Sequence, residues 1–391
     1  MRALTFLEFF AGGGMARAGL GDGWQCLFAN DFDAMKVETY KANFGAGDIR
    51  CADVATLTPA DLPPGAADLA WASFPCQDLS LAGGYRGLGA ERDNTLTRSG
   101  TFWPFWRLMQ ALQRDGRAPR AVVLENVYGS LTSRGGQDFV ALAGALAGAG
   151  YRVGAVVINA ARFAPQSRPR VFFIAIAPSE DLSGAPIADA PSELWHPTAL
   201  RQAHAGLRGA AKRQWLWWSP PEPEPRTTTF ADVIETRPSG VKWHTPAETD
   251  YLLSLMSELN RAKVAAASQS RRRVIGTIYR RTRPDANGDK RQRAEVRFDD
   301  VAGCLRTPAG GSSRQTLLVV EGKKLRSRLL SPREAARLMG LADDYILPER
   351  YNDAYHVCGD GVCAPVVRFI AAQILEPILA GAEAAKRIAA E

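Results

Sequence analysis

A cysteine in a proline-fixed turn, a carboxyl at the end of an apolar run and two closely spaced arginines are the residues of this 391-residue chain best suited to chemistry. Cys76 lies in Ser73-Phe74-Pro75-Cys76-Gln77, just past a short apolar segment. A thiolate held there is a nucleophile if something stabilises its charge, although burial as an inert thiol is the commoner fate of a single cysteine. Glu125 directly follows Ala121-Val122-Val123-Leu124. So placed it needs a partner, and at a rim shared with Cys76 it could act as an acid or donate to a ring nitrogen; local backbone amides would satisfy it as well. In Gln166-Ser167-Arg168-Pro169-Arg170 the two arginines stand at i and i+2 at the entry to a strand. That spacing can clamp a carbonyl or a phosphate, or simply line a solvated edge.

A second set suits a nucleoside. Phe9-Phe10-Ala11-Gly12-Gly13-Gly14 lies between a predicted strand and a predicted helix. Glycines there let a ligand approach the backbone, and the helix start offers free amides; a tight turn without a ligand has the same composition. Asp31 ends the next strand, where an acidic side chain accepts hydrogen bonds from ribose hydroxyls. Asp53 could meet an adenine amino group or cap a helix, and Asp48 competes with it. No Lys-Ser/Thr follows the glycines, which excludes a P-loop and favours a nucleoside ligand without a triphosphate.

Such residues need a scaffold that gathers their loops. Apolar runs over 4–10, 24–30, 68–73, 121–124, 153–159 and 171–177 predict strands, and 15–20, 33–44 and 102–112 predict helices. The alternation predicts an α/β fold with a doubly wound parallel sheet, and it places the loops after residues 10, 30, 74 and 124 on one rim. The glycine-rich loop 78–98, which carries Arg86, reads as a lid. Residues 178–245 are rich in proline around Trp215-Leu216-Trp217-Trp218 and read as a connector with irregular structure, the tryptophans as an inter-domain packing cluster. Ser331-Pro332-Arg333-Glu334 is a helix start, and 366–380 is a final helix apolar enough to pack back on the first domain.

Composition bounds the reading. Hydrophobic residues make up 46% and charged residues 23%, which excludes disorder, collagen-like repeats and coiled coils. The net charge of +7 is unevenly spread: residues 1–200 sum to −2, whereas residues 261–328 hold 18 basic and 6 acidic side chains, a net of +12. A basic segment on a folded protein points first to a polyanion such as nucleic acid. Arg271-Arg272-Arg273, Arg280-Arg281, Arg306 and Arg314 are its candidate contacts. The six cysteines form no CxxC pair and the four histidines stand away from any Cys pair, so no metal site is expected and a cytoplasmic compartment fits. No apolar stretch approaches ~18 residues, so no membrane span is expected. The apolar N-terminus, interrupted by Glu8, reads as a buried strand.

Taken in order, the phenylalanine-glycine turn, Asp31, Pro75-Cys76-Gln77, Glu125-Asn126-Val127, Gln166-x-Arg168-x-Arg170 and Gly359-Asp360-Gly361-Val362 resemble the motifs of the cytosine-5 DNA methyltransferases. The resemblance covers residues 1–177 and 329–380, with 178–328 corresponding in position to a variable target-recognition segment. It implies a Rossmann-like methyltransferase sheet with a smaller, irregular recognition domain, divided as 1–185 (catalytic and cofactor-binding), 186–328 (basic, target-recognising) and 329–391 (returning to the catalytic domain). It also implies S-adenosylmethionine as cofactor, with Phe10, Ala11, Gly12, Gly14, Asp31, Phe32, Asp53, Val54, Pro75, Phe102, Gly361 and Val362 around it. Cys76 would be the nucleophile, Glu125 the partner of N3, and Arg170, supported by Arg168, the clamp on O2 or a phosphate. Double-stranded DNA is the implied substrate, its target base flipped out, by a monomer of prokaryotic modification type with a possible cognate restriction endonuclease. An RNA cytosine-5 methyltransferase of the same fold and a catalytically silent DNA-binding relative are the alternatives. Three positions depart from the family pattern: Glu8 where Asp is usual, Met15 where Gly is common and Asp360 where Asn is usual.

Overall fold

The computed structural model describes residues 2–75, 98–270, 272–284, 287–306 and 314–380; Cys76, the loop with Arg86, and Arg271 lie outside them. The described chain divides into two compact units, one of residues 1–159, 169–224 and 361–391, the other of 160–168 and 225–360. These units do not follow the expected boundaries at 185 and 328. Residues 186–224 join the first unit because two short strands, Ile187–Ala188 and Trp215–Trp218, extend its sheet. Residues 329–360 and the short loop 160–168 join the second.

The first unit is built on a nine-stranded sheet. In chain order its elements are β1 (Leu4–Phe9), α1 (Met15–Leu20), β2 (Trp24–Asp31), α2 (Ala34–Phe44), β3 (Ile49–Cys51), β4 (Leu69–Ala72), α3 (Phe102–Arg114), β5 (Ala121–Val127), α4 (Gln137–Gly148), β6 (Arg152–Asn159), β7 (Pro169–Ile176), β8 (Ile187–Ala188), α5 (Thr198–Ala205), α6 (Gly209–Arg213) and β9 (Trp215–Trp218). The strands run in the order β3-β2-β1-β4-β5-β7-β6-β9-β8. From β3 to β5 every pair is parallel, and β1 and β4 are accordingly buried along their whole length. β7 breaks the pattern by inserting antiparallel between β5 and β6, so the sheet is mixed where the sequence pattern predicts parallel strands alone. Both βαβ directions start from β1 and β4, and their carboxyl ends flank the switch point where ligands bind in such sheets.

Local signals account for the helices. Asp33 caps α2 by accepting from Met35 N and Lys36 N. On α3, Phe102, Phe105, Trp106, Met109 and Leu112 recur at helical spacing and are buried, and Phe105 meets Phe9 of β1 with ring centroids 5.1 Å apart. The tryptophans expected between domains pack inside this unit: Trp218 donates to Ile174 O at 3.1 Å, and Trp215 lies against Phe139 and Trp217.

The second unit, expected to be irregular, holds a regular antiparallel sheet. Helices α7 (Pro246–Ser254) and α8 (Glu258–Gln269) precede β10 (Val274–Pro284), β11 (Lys290–Arg297), β12 (Thr316–Glu321) and β13 (Lys324–Leu329), ordered β11-β10-β12-β13. Met256, Val264, Ile278, Ala294, Val296, Leu318 and Val320 form its core. Next comes α9 (Pro332–Leu338), whose Ser331–Glu334 capping box is present as the sequence predicts, then α10 (Tyr351–Asp360). Arg328 and Glu334 form a fully buried, two-pronged ion pair at 2.6 and 2.7 Å.

The chain returns to the first unit in α11 (Ala364–Ile370), followed by a π-turn at Ala371–Leu375 and a last turn at Glu376–Leu379. α11 lies so close to α1 that a Cβ on Gly19 would stand 2.5 Å from Ala364 O. The stretch Tyr351–Leu379 is long and apolar enough to cross a membrane, contrary to the expectation that no such run exists, but 67% of its apolar window is buried inside the protein.

Candidate active site

The glycine turn leaves β1 through backbone conformations that few residues accept. Phe10 (φ 56°) and Gly12 (φ 56°) are both left-handed. For Phe10 this is a strained conformation of the kind found where a site demands it. Around Gly12 no atom lies within 4 Å of where a Cβ would be, so its open face admits a ligand against the backbone. Ala11 N donates to Asn30 O at 2.9 Å and Gly12 N to Asp31 Oδ2 at 2.8 Å, which locks the turn to the end of β2.

Two departures from the family pattern find their reasons here. Glu8, buried in β1, reaches the start of α1, where its carboxyl accepts from the backbone amides of Ala16 and Arg17; burial pushes that carboxyl up to about 8. Met15 fills the space that a side chain at position 361 would need: a Cβ on Gly361 would lie 2.2 Å from Met15 Sδ. A thioether at 15 and a glycine at 361 are therefore complementary.

The acids expected at the cofactor are placed differently from each other. Asp31 is buried, its Oδ1 accepts from Asp33 N at 2.9 Å, and burial holds its carboxyl above the usual range. Each of its oxygens keeps a further lone pair for a hydroxyl. Beside it Phe32 presents a ring that is 69% exposed. Asp53 caps the turn Val54–Thr56 by accepting from Ala55 N at 2.9 Å, so the capping alternative is realised by one of its oxygens. Val54 is core, and Asp48 pairs with Arg17 at 2.9 Å. Pro75 is half-buried at the end of a described stretch. Phe102, expected at the cofactor, is fully buried among Phe74, Trp103 and Trp106 and contributes packing. Val362 is buried beside Gly361 in sequence.

At the end of β5, Glu125 is 6% exposed and pairs with Arg170 of β7, whose Nε lies 3.0 Å from Glu125 Oε1. The register explains the pairing: Glu125 stands opposite Phe172 and Val127 opposite Arg170, so the two charges are diagonal neighbours on one face. Asn126, which sequence reasoning left without a role, donates to Phe74 O at 3.2 Å and accepts from Val127 N at 2.8 Å. It pins the turn that leads into Pro75-Cys76. Asn30 does the same at the end of β2, donating to Ala52 O at 2.7 Å. A buried amide at the carboxyl end of a parallel strand was the available signal. Arg168, expected to support Arg170 in clamping O2 or a phosphate, is corrected: its buried side chain instead donates to Leu305 O at 3.1 Å and Gly359 O at 3.0 Å within the second unit.

The basic side chains of the second unit fall into two groups. Arg272, Arg273, Arg280, Arg281 and Arg306 are exposed. Arg281 stacks 4.7 Å over Tyr279, and Arg273 pairs with Glu321 at 3.5 Å. Arg314, half-buried, donates to Asn352 Oδ1 at 2.5 Å and lies over Tyr351. Much of the far half of the β10–β11 ribbon is exposed, and Arg281 stands directly opposite Arg293. Like charges directly opposite each other are unfavourable, and Glu295 of β11, 3.8 Å from Arg281, offsets part of that repulsion.

Comparisons with known proteins agree with this geometry. The model of the C-5 cytosine-specific DNA methylase family matches residues 4–376. The chain is 27% identical over 374 residues to the Type II methyltransferase M.NlaX of Neisseria lactamica, covering 94% of this chain and 95% of that protein. It is 25% identical over 393 residues to M.HpaII of Haemophilus parainfluenzae, covering 96% and 90%. In fold it is similar to the Dnmt2 methyltransferase of S. pombe, with a TM-score of 0.55 at 16% identity over 96% of this chain and 99% of that one. The methyltransferase EhMeth of Entamoeba histolytica gives 0.57 at 13% identity, over 96% and 98%. With the family model spanning the glycine turn, the Glu125–Arg170 pair and the basic sheet alike, the chain belongs to the C-5 cytosine-specific DNA methylase family.

Proposed function

We propose that the chain is a DNA (cytosine-5-)-methyltransferase of a Type II modification system that moves a methyl group from S-adenosylmethionine to C5 of a cytosine flipped out of duplex DNA. The observation that carries this reading is the buried Glu125–Arg170 pair, beside the turn that Asn126 holds and that leads into Pro75-Cys76. The residues present suit the cofactor: the open face of Gly12, the acceptor sites left on Asp31 and the exposed ring of Phe32 would meet its backbone-proximal part, its ribose and its adenine. Asp53 and Gly361 would complete the site. When bound, the cofactor supplies an electrophilic methyl group on a sulfonium.

The chain's own residues make the base ready for it. The Cys76 thiolate adds to C6 while Glu125 gives a proton to N3, which removes the negative charge that addition creates. Arg170, oriented by Glu125, donates to O2. C5 is then electron-rich, takes the methyl group, releases its own proton to water and expels the Cys76 thiolate as Glu125 recovers its proton. Flipping is required because C5 and C6 are out of reach inside a stacked duplex. The enzyme works as a cytoplasmic monomer, a nuclease of matching specificity being its natural partner.

Incubation with labelled S-adenosylmethionine and long unmethylated duplex DNA tests this. Label should enter cytosine C5, bisulfite sequencing should show one short motif, and Glu125→Gln should lower kcat by about 10²–10⁴. Transfer to RNA alone, or to nothing, would defeat the proposal.

A further inference from the structure

We propose that Arg168 is a positioning residue that couples residues 302–306 of the basic unit to residues 359–362 at the cofactor side, a proposal that rests on the function inferred above. The residue is 2% exposed, and its guanidinium acts as a fork. Nη1 donates to Leu305 O at 3.1 Å and reaches Cys304 Sγ at 3.5 Å, while Nη2 donates to Gly359 O at 3.0 Å. Leu305 immediately precedes Arg306, an exposed arginine expected to meet DNA, and Gly359 stands two residues before Gly361. One planar group thus grips the roots of both segments. Gln166 steadies the first root, its Oε1 accepting from Leu305 N at 3.0 Å and its Nε2 donating to Leu338 O at 2.8 Å. The loop that carries both side chains is itself held by Ser167 N donating to Ala302 O at 2.9 Å and Ala302 N to Pro165 O at 2.8 Å.

The fork has a fixed span, so Leu305 cannot shift on DNA engagement without moving Gly359 or breaking a buried hydrogen bond, which is unfavourable where no water replaces it. Coupling of this kind is reciprocal: DNA tightens the cofactor by the factor by which the cofactor tightens DNA. A lysine would keep the charge and lose the fixed span.

Equilibrium dialysis of labelled S-adenosylhomocysteine against the full chain, with and without long unmethylated genomic duplex DNA, reads the coupling. DNA should tighten binding about tenfold in the unaltered protein. Arg168→Lys should leave the affinity without DNA within about threefold and reduce the DNA effect to less than about twofold. A tenfold effect that survives in Arg168→Lys, or no effect in the unaltered chain, overturns the proposal. Hydrogen exchange on the unaltered chain gives a second reading that does not depend on the variant folding. S-adenosylhomocysteine should slow the amides of 359–362 and of 302–306 together, and slowing at 359–362 alone overturns the coupling. Absence of any S-adenosylhomocysteine binding would instead remove the functional reading, and this one with it.

Discussion

Buried under the glycine turn, Glu8 joins β1 to the first amides of α1 and shares its surroundings with Arg17 and Asp31. Because burial pushes its carboxyl from 4.5 up to about 8, the folded chain keeps a proton there that the unfolded chain has released. The stability due to this group is full below about pH 4.5 and is lost as pH rises through about 8. Glu8→Gln keeps an acceptor oxygen and abolishes the titration. The melting temperature of the unaltered chain relative to this variant should therefore fall between about pH 5 and pH 8, and a constant difference would contradict the assignment. At this scale the sequence was informative where side-chain type and strand position agree: Glu125 and Arg170 needed partners and found each other. It was silent where the partner is a distant carbonyl. Arg168 and Arg170 differ in nothing that spacing reveals, yet one holds Leu305 and Gly359 and the other holds Glu125.

Among the elements, the parallel strands β1, β2, β4 and β5 were legible because burial makes them nearly continuous apolar runs, whereas the edge strand β3, two of whose three residues are exposed, carried no such signal. The β10–β11 ribbon was hidden for the opposite reason. Its far half replaces alternation with Arg280, Arg281, Lys290, Arg291 and Arg293, which reads as a charge run. A two-stranded ribbon has the width that a DNA major groove admits, and its arginines can also meet phosphates. Replacing Arg281 and Arg293 together with alanine should weaken binding to a 30-base-pair duplex of any sequence. Measured by fluorescence anisotropy, the slope of log K against log salt should become shallower by about 0.9 for each phosphate that is no longer neutralised. An unchanged slope would show that the ribbon does not meet the DNA backbone.

For the whole molecule, the basic excess marks one unit and the proposed chemistry is assigned to the other: residues 261–328 carry +12, while residues 1–200 sum to −2. That division was visible in charge, but its borders were not. Residues 160–168 belong with the basic unit through hydrogen bonds to Ala302, Leu305, Leu338 and Gly359, partners far along the chain that no local pattern announces. Residues 186–224 look like a connector, and they are claimed by the large sheet through two short strands. What unites both parts is the claim that a thiolate at Cys76 attacks a flipped cytosine held by Glu125 and Arg170. Duplex DNA carrying 5-fluorocytosine in place of cytosine tests it most directly, since fluorine at C5 blocks the final elimination. Incubation with S-adenosylmethionine should give a denaturation-resistant protein–DNA complex whose mass spectrum places the bond on Cys76, and Cys76→Ser should give none. A chain that methylates ordinary DNA while forming no such complex, or forms it at another residue, would contradict the mechanism.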